Sequence, residues 1–342
     1  MWTNYIKNFS RNEFETICKR FDSACLAKTP LWSGTVFIGI EPLYIECHVK
    51  WIADKIDEYF VNTLPNQHID NARELYILND GVDKFTQSKL SEYSDLFFLG
   101  DNIFTKPDLI TNKDFIFLRD NNKFFISVPD ADMNHILYLD EIHILGRFFY
   151  YILQKTTVLH GAAIAYNDFG VFIAGLSGSG KSTLAAHCMA KGLQFVGDDK
   201  IALHKKDDIL YANPIYSVMS LKETIDGIKT VDIKKQKDAD KDVIVLEKSQ
   251  IAHNIQIDTI IEPTMANIDN PEILKTPISP IITRICNDFS IFSVLSPNKN
   301  PLNDYKTIFN LFSNIDSYKL NLSKSLPTNI EKLIDFVKFR RL

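Results

Sequence analysis

Apolar positions along this chain change period several times, and each change marks an element. Ile6, Phe9, Phe14, Ile17 and Phe21 make a rough helical stripe over residues 1–28. Residues 34–49 (GTVFIGIEPLYIECHV) alternate and are rich in β-formers, and residues 50–63 return to helical spacing. Short β-type runs then recur at Glu74–Leu78, Asp95–Leu99, Phe115–Leu118 and Lys123–Val128, separated by Asn-Asp-Gly, Gly-Asp-Asn and Asp-Asn-Asn turns. Ile142, Leu145, Phe149, Ile152 and Leu153 predict a helix over residues 140–154, N-capped by Asp140. Beyond the middle of the chain, strands are expected at 171–174, 193–196, 200–204, 243–246, 259–261 and 318–322. Helices are expected from residue 181 to a stop at Gly192, and at 302–314 and 328–339. The mixed-charge stretch 229–242 (KTVDIKKQKDADKD) reads as a solvated loop, or more sharply as a lid. The pattern divides into an N-terminal α+β domain over residues 1–137 and a second domain over 138–342.

The strand at 171–174 runs straight into Gly175-Leu-Ser177-Gly178-Ser179-Gly180-Lys181-Ser182, which satisfies G-x-x-x-x-G-K-[ST]. Helical spacing begins immediately after it. Strand, glycine loop and helix are the context this motif requires. Gly175, Gly178 and Gly180 allow the tight turn that aims backbone N–H groups at phosphate oxygens, and the helix N-terminus adds partial positive charge. Lys181 is placed to reach the β- and γ-phosphates, and Ser182 to ligate Mg²⁺. Ser177, Ser179 and Thr183 complete the candidate nucleotide-binding set. Eighteen residues beyond Lys181, a second apolar run ends in Gly197-Asp198-Asp199. Two carboxylates at a strand end beside a P-loop suit holding a metal and accepting a proton from an attacking hydroxyl. The residues alone leave open which aspartate does which. An Asp-Asp surface turn is the plainer alternative.

Upstream, TTVLHG places His160-Gly161 just before the P-loop strand. The combination of this His-Gly, the GxSGxGKS loop and the glycine-preceded Asp-Asp resembles the catalytic domain of HPr kinase/phosphorylase and its HPr-kinase-like serine kinase relatives. The glycine loop alone is also similar to that of ATP-dependent phosphoenolpyruvate carboxykinase. The resemblance covers residues 150–225. It implies an α/β P-loop kinase core, with a mixed sheet flanked by helices, behind the N-terminal α+β domain. It further implies ATP and Mg²⁺ as cofactors, with His160 near the phosphoryl acceptor, Asp199 as general base, Asp198 with Ser182 at the metal, and Lys181 on phosphate. Arg284, in the run Pro280–Cys286, is a candidate to stabilise charge on the transferred group.

Two positions depart from the pattern. Thr183 stands where HPr kinases carry Glu, and Ser220-Leu-Lys222-Glu223 replaces their Glu-x-Arg-Gly, nearer to the divergent branch. Lys222 reads as a phosphate contact or as a solvated lysine at a helix start. The expected activity is γ-phosphoryl transfer to a Ser or Thr of a protein or peptide. A small-molecule hydroxyl is the alternative acceptor, and a nucleotide-binding regulatory module without transfer is the alternative function. Family relatives often assemble, so a homo-oligomer is allowed.

Composition adds constraints. The chain is 45% hydrophobic and 24% charged, ordinary for a soluble globular protein, and its 342 residues allow two cores. The net charge of −5 and the lack of a basic stripe argue against nucleic acid as a partner. No apolar run is long enough for a membrane span. The N-terminus lacks the apolar core of a signal peptide. Cys18, Cys25, Cys47, Cys188 and Cys286 form no C-x-x-C pair, which fits reduced thiols and a cytoplasmic setting.

Overall fold

The computed structural model describes residues 19, 22–23, 25–79, 103–107, 114–120, 122–128, 145, 149, 152–235, 241–293 and 301–340. The domain boundary expected at 137/138, the strand expected at 95–99 and most of the helix expected over 1–28 lie outside these residues. Of the helix expected at 140–154, Leu145, Phe149 and Ile152–Gln154 are described; Leu145, Phe149 and Ile152 are helical and buried, and Leu153 and Gln154 lie beyond the helix end.

The N-terminal alternation becomes β1 (Trp32–Ile38) and β2 (Glu41–Cys47), joined by a tight turn in which Gly39 has φ +63°. Val36, Ile38, Leu43, Ile45 and Cys47 point to the core. Helix α1 (Lys50–Tyr59) lays Ile52, Ile56 and Tyr59 on the same core, then β3 (Thr63–Pro65) pairs with β1. With β4 (Arg73–Asn79), β5 (Ile103–Pro107), β6 (Asp114–Asp120) and β7 (Lys123–Val128) these strands form a seven-stranded sheet, ordered β3-β1-β2-β4-β7-β6-β5. The β2–β4 and β4–β7 pairs are parallel and the rest antiparallel.

The second sheet has nine strands: β8 (Thr157–His160), β9 (Ala162–Tyr166), β10 (Phe169–Ile173), β11 (Gln194–Gly197), β12 (Lys200–Lys206), β13 (Ile209–Pro214), β17 (Ile255–Met265), β18 (Glu272–Lys275) and β19 (Asp316–Leu322). Its main path runs β11-β9-β10-β17-β13-β12-β8, with β19 also on β17 and β18 on β19. Strand β17 runs parallel to β10 and β19, so the carboxyl ends of these three strands lie together.

The path has one bend that matters. Strands β8 and β9 follow each other with only Gly161 between, yet β8 pairs with β12 and β9 with β11. The chain between β11 and β12 is Asp198-Asp199, and the Gly161 N–H donates to the Asp199 carbonyl at 3.1 Å. The two turns therefore face each other where the sheet folds over.

Helices α2 (Lys181–Ala190) and α5 (Leu326–Phe339) cover one face. They share a core with a three-stranded sheet of β14 (Val218–Leu221), β15 (Thr230–Lys234) and β16 (Asp242–Leu246). The loop expected over 229–242 is thus strand over Thr230–Lys234. Its Val231 and Ile233 alternate with polar neighbours, and this period-two pattern prevails over the charge density once β16 offers an edge. Lys222 follows strand β14 rather than starting a helix. Helices α3 (Ile278–Ser293) and α4 (Pro301–Phe312) pack Ile281, Ile282, Ile285, Ile308 and Phe312 on the opposite face. A third core joins Ile38, Leu43, Ile56 and Phe60 of the N-terminal part to Val158, Ala202, Tyr216, Val218 and Val245. Among the described residues, no helix is long and apolar enough to cross a membrane.

Candidate functional site

The P-loop follows β10 as the sequence predicts. Gly175, Gly178 and Gly180 have φ of +151°, +81° and +93°, conformations that disfavour any side chain. A Cβ at Gly178 would meet nothing within 4 Å, so the loop is an open cradle. Gly180 N-caps α2, and no side chain caps that helix. A helix N-terminus of this kind suits an anion. Ser177 sits exposed on the rim, and the Ser179 hydroxyl is buried without a hydrogen-bond partner. Thr183 lies in the first turn of α2. At the other end of α2, Gly192 (φ +89°) and Leu193 donate to the Met189 and Cys188 carbonyls, so the predicted stop is a Schellman cap.

Lys181 is only 5% exposed. Its ammonium group donates to the Gly175 carbonyl at 2.7 Å and the Leu176 carbonyl at 3.0 Å. The cation is therefore held at the loop it is expected to serve.

The turn after β11 brings both aspartates to the cradle, in different surroundings. Asp198 is 4% exposed and accepts a hydrogen bond from the Ser182 hydroxyl. Burial, and then the neighbouring Asp199 charge, push its carboxyl above the ordinary range, while the Ser182 bond opposes them. Asp199 has φ +66°, an uncommon backbone state for a non-glycine residue. Its Oδ1 lies 2.7 Å from His160 Nδ1 and 3.4 Å from Lys200 Nζ. Strand pairing explains the first contact, because His160 lies opposite Lys200 in the β8–β12 ladder. Gly161 is required at this point: a Cβ there would stand 2.5 Å from Phe172 Cζ and 2.9 Å from the Ile173 carbonyl.

These residues fit Mg·nucleotide. A buried carboxylate whose ionised form is disfavoured, paired with a serine hydroxyl, presents hard oxygen ligands that a divalent cation would stabilise. Among the described residues, no group of three or more His, Cys, Asp or Glu gathers as a metal site. Mg²⁺ in phosphoryl-transfer sites is usually held by one or two carboxylates with the phosphates themselves, so two side chains suffice.

Arg284 has a partner of its own. The run Pro280–Cys286 lies within helix α3, and the guanidinium forms an ion pair with Glu262, its Nη2 donating to Oε2 and its Nε lying close to Oε1. Glu262 is 4% exposed on β17, one residue past Ile261, whose carbonyl accepts from the Ala174 N–H. The ion pair therefore backs the strand end that launches the P-loop. Sequence reading missed Glu262 and Lys200. Glu262 carries a weak signal, an acid inside the apolar run Ile260-Ile-Glu-Pro263; Lys200 carries none.

Residues 152–270 match the family model of the HPr Serine kinase C-terminal domain. The HPr kinase/phosphorylase of Streptococcus thermophilus is 33% identical over 82 residues, 24% of this chain and 26% of that protein. That of Exiguobacterium sibiricum is 31% identical over 81 residues, with the same shares. The chain thus matches about a quarter (26%) of the length of these curated relatives. A solved structure, the Hpr(Ser) kinase/phosphatase from Coxiella burnetii, aligns over 54% of this chain and 90% of its own at 16% identity and a TM-score of 0.30. By the family-model match, which encloses His160, the P-loop and both aspartates, the region 152–270 of this chain is HPr-kinase-like.

Proposed function

We propose that this protein is an ATP-dependent phosphotransferase that moves the γ-phosphoryl group to a hydroxyl of a protein or peptide. The observation that carries the proposal is the pairing of two carboxylates in two environments. Asp198 is buried on Ser182, and Asp199 is half-buried on His160, both at the mouth of the P-loop. A module that only bound nucleotide would need no second carboxylate held by a histidine.

When bound, Mg·ATP supplies the phosphoryl group, its charge partly neutralised by the metal. The loop amides and the N-terminus of α2 hold the phosphate oxygens, and Lys181 supplies positive charge beside them. Ser182 and Asp198 are the residues that would hold the metal. Asp199 accepts the proton of the acceptor hydroxyl, and His160 fixes the orientation of that carboxylate. Positioned proton transfer of this kind contributes roughly 10²- to 10⁴-fold in rate. A protein or peptide acceptor is favoured by the matched relatives, named HPr kinase/phosphorylase.

The test uses γ-labelled Mg·ATP with a peptide and protein pool and, separately, a metabolite panel. Asp199→Asn is expected to lower transfer by about 10²- to 10⁴-fold while nucleotide affinity holds. Lys181→Ala is expected to lose nucleotide binding as well. Label appearing only on a metabolite would reassign the acceptor, and full transfer by Asp199→Asn would remove the assigned base.

A further inference from the structure

The turn between β1 and β2 belongs to the N-terminal sheet, yet it lands at the root of the strand that carries His160. Glu41, the first residue of β2, accepts hydrogen bonds from three successive amides. Gln154 N–H lies 3.1 and 2.9 Å from its two oxygens, Lys155 N–H 2.7 Å and Thr156 N–H 2.7 Å from Oε1. Consecutive amides closing on one anion form a nest, and charge-assisted bonds of this kind are stronger than neutral ones.

Two residues earlier, the turn presses on the same place. A Cβ at Gly39 would stand 2.8 Å from Thr156 Cγ2 and 3.4 Å from Ala202 Cβ. The turn therefore lies close against Thr156, the residue before β8, and Ala202 of β12. Those strands pair from Thr157↔Leu203 through Val158↔Ala202 to His160↔Lys200. Their far end holds the His160–Asp199 contact. A strand pair gripped at its root by an external carboxylate has its register and tilt set there.

We propose that Glu41 is a positioning residue. Through it the N-terminal sheet fixes the β8–β12 pair so that His160 Nδ1 stays on Asp199. This rests on the reading of His160 and Asp199 as the acceptor-side pair. It gives the N-terminal sheet a part in the reaction although that sheet supplies no group to the reacting atoms. It also separates two halves of the site. The P-loop hangs on β10 and α2, whereas the proton-handling pair hangs on β8 and β12, and Glu41 holds the segment Gln154–Thr156 that leads directly into β8.

The experiment uses the full chain with Glu41→Ala and Glu41→Gln. The ring-nitrogen NMR shifts of His160 are read first, without nucleotide, because they report whether Nδ1 is held on a carboxylate. In Glu41→Ala these shifts are expected to move toward those of a histidine without that partner. Transfer is expected to fall on the order of 10- to 100-fold in kcat, the scale of a small misplacement of a reacting group. The nucleotide Kd is expected to stay within about twofold, since the phosphate cradle is untouched. Glu41→Gln keeps one acceptor oxygen and is expected to fall between wild type and Ala.

Unchanged His160 shifts in a folded Glu41→Ala protein would overturn the proposal. So would a nucleotide Kd that weakens in step with kcat, because that pattern is general loosening. If the alanine variant does not fold, Glu41→Gln carries the same two readouts. Were no phosphoryl acceptor found at all, the NMR shifts would still decide the positioning role.

Discussion

Replacing Arg284 by Met separates a structural arginine from one that works on the phosphoryl group. The Glu262 side chain is 6% exposed, and the Arg284 guanidinium grips it at two points. Removing one partner of a buried ion pair costs about 3–5 kcal/mol, because a charge is left uncompensated. The Arg284 side chain is itself 41% exposed, so water reaches one side of the pair and screens it. Screening brings the expected loss below that range, to about 2–3 kcal/mol. At about 2–4 °C per kcal/mol for a large domain, Arg284→Met is expected to melt roughly 4–12 °C below wild type. Arg284→Met combined with Glu262→Leu removes both charges and is expected to regain most of that loss. The assay is thermal unfolding of the three proteins, alongside phosphoryl transfer at a temperature where all are folded. A purely structural arginine leaves kcat within about tenfold of wild type, whereas an arginine on the transferred group is worth about 10³-fold or more. An Arg284→Met protein with wild-type melting and a 10³-fold loss in kcat would refute the structural assignment.

Two further predictions follow from the bend in the second sheet. Gly161→Ala pushes a methyl into Phe172 and the Ile173 carbonyl, so it is expected to destabilise by about 1–3 kcal/mol and to lower transfer by displacing His160, checked by melting and by kcat. Asp198→Asn is expected to raise stability at neutral pH while abolishing Mg²⁺-dependent transfer. Its folded carboxyl titrates above the unfolded value, so the folded state binds the extra proton, and wild-type stability falls as pH rises from about 4 upward. The stability gap between variant and wild type should therefore close as pH is lowered toward 4; a pH-independent gap would contradict the burial argument.

The half of the chain that carries the P-loop was legible in sequence wherever the physics is local. An apolar run, three glycines, Lys181-Ser182 and a helical period lie within about twenty residues, and their order alone dictates strand, anion cradle and helix. Gly192 was readable as the helix stop because only glycine reaches the left-handed cap without strain. The resemblance to HPr kinases picked out His160 and the aspartate pair, but not why they meet. Two strands that lie far apart in sequence become neighbours when the sheet folds over at Gly161, and Lys200 joins the site by the same register. Which aspartate is buried and which stays open to an acceptor depends on where Ser182 and His160 land, and no local pattern encodes that.

Charge density misled the reading of residues 230–234, because a strand's period of two needs a partner edge before it can be recognised, and β16 supplies that edge only in the folded chain. Arg284 was recognisable as a cation worth attention, yet its partner Glu262 stands twenty-two residues earlier on another element. Glu41 lies farther still, 113 positions before the first amide it holds. By itself, then, the sequence determined the P-loop and its setting between strand and helix, since those arise from backbone freedom and periodicity within one short stretch. The tertiary structure alone decided which side chains meet around that loop, because burial, ion pairing and strand register are properties of residues brought together from across the chain.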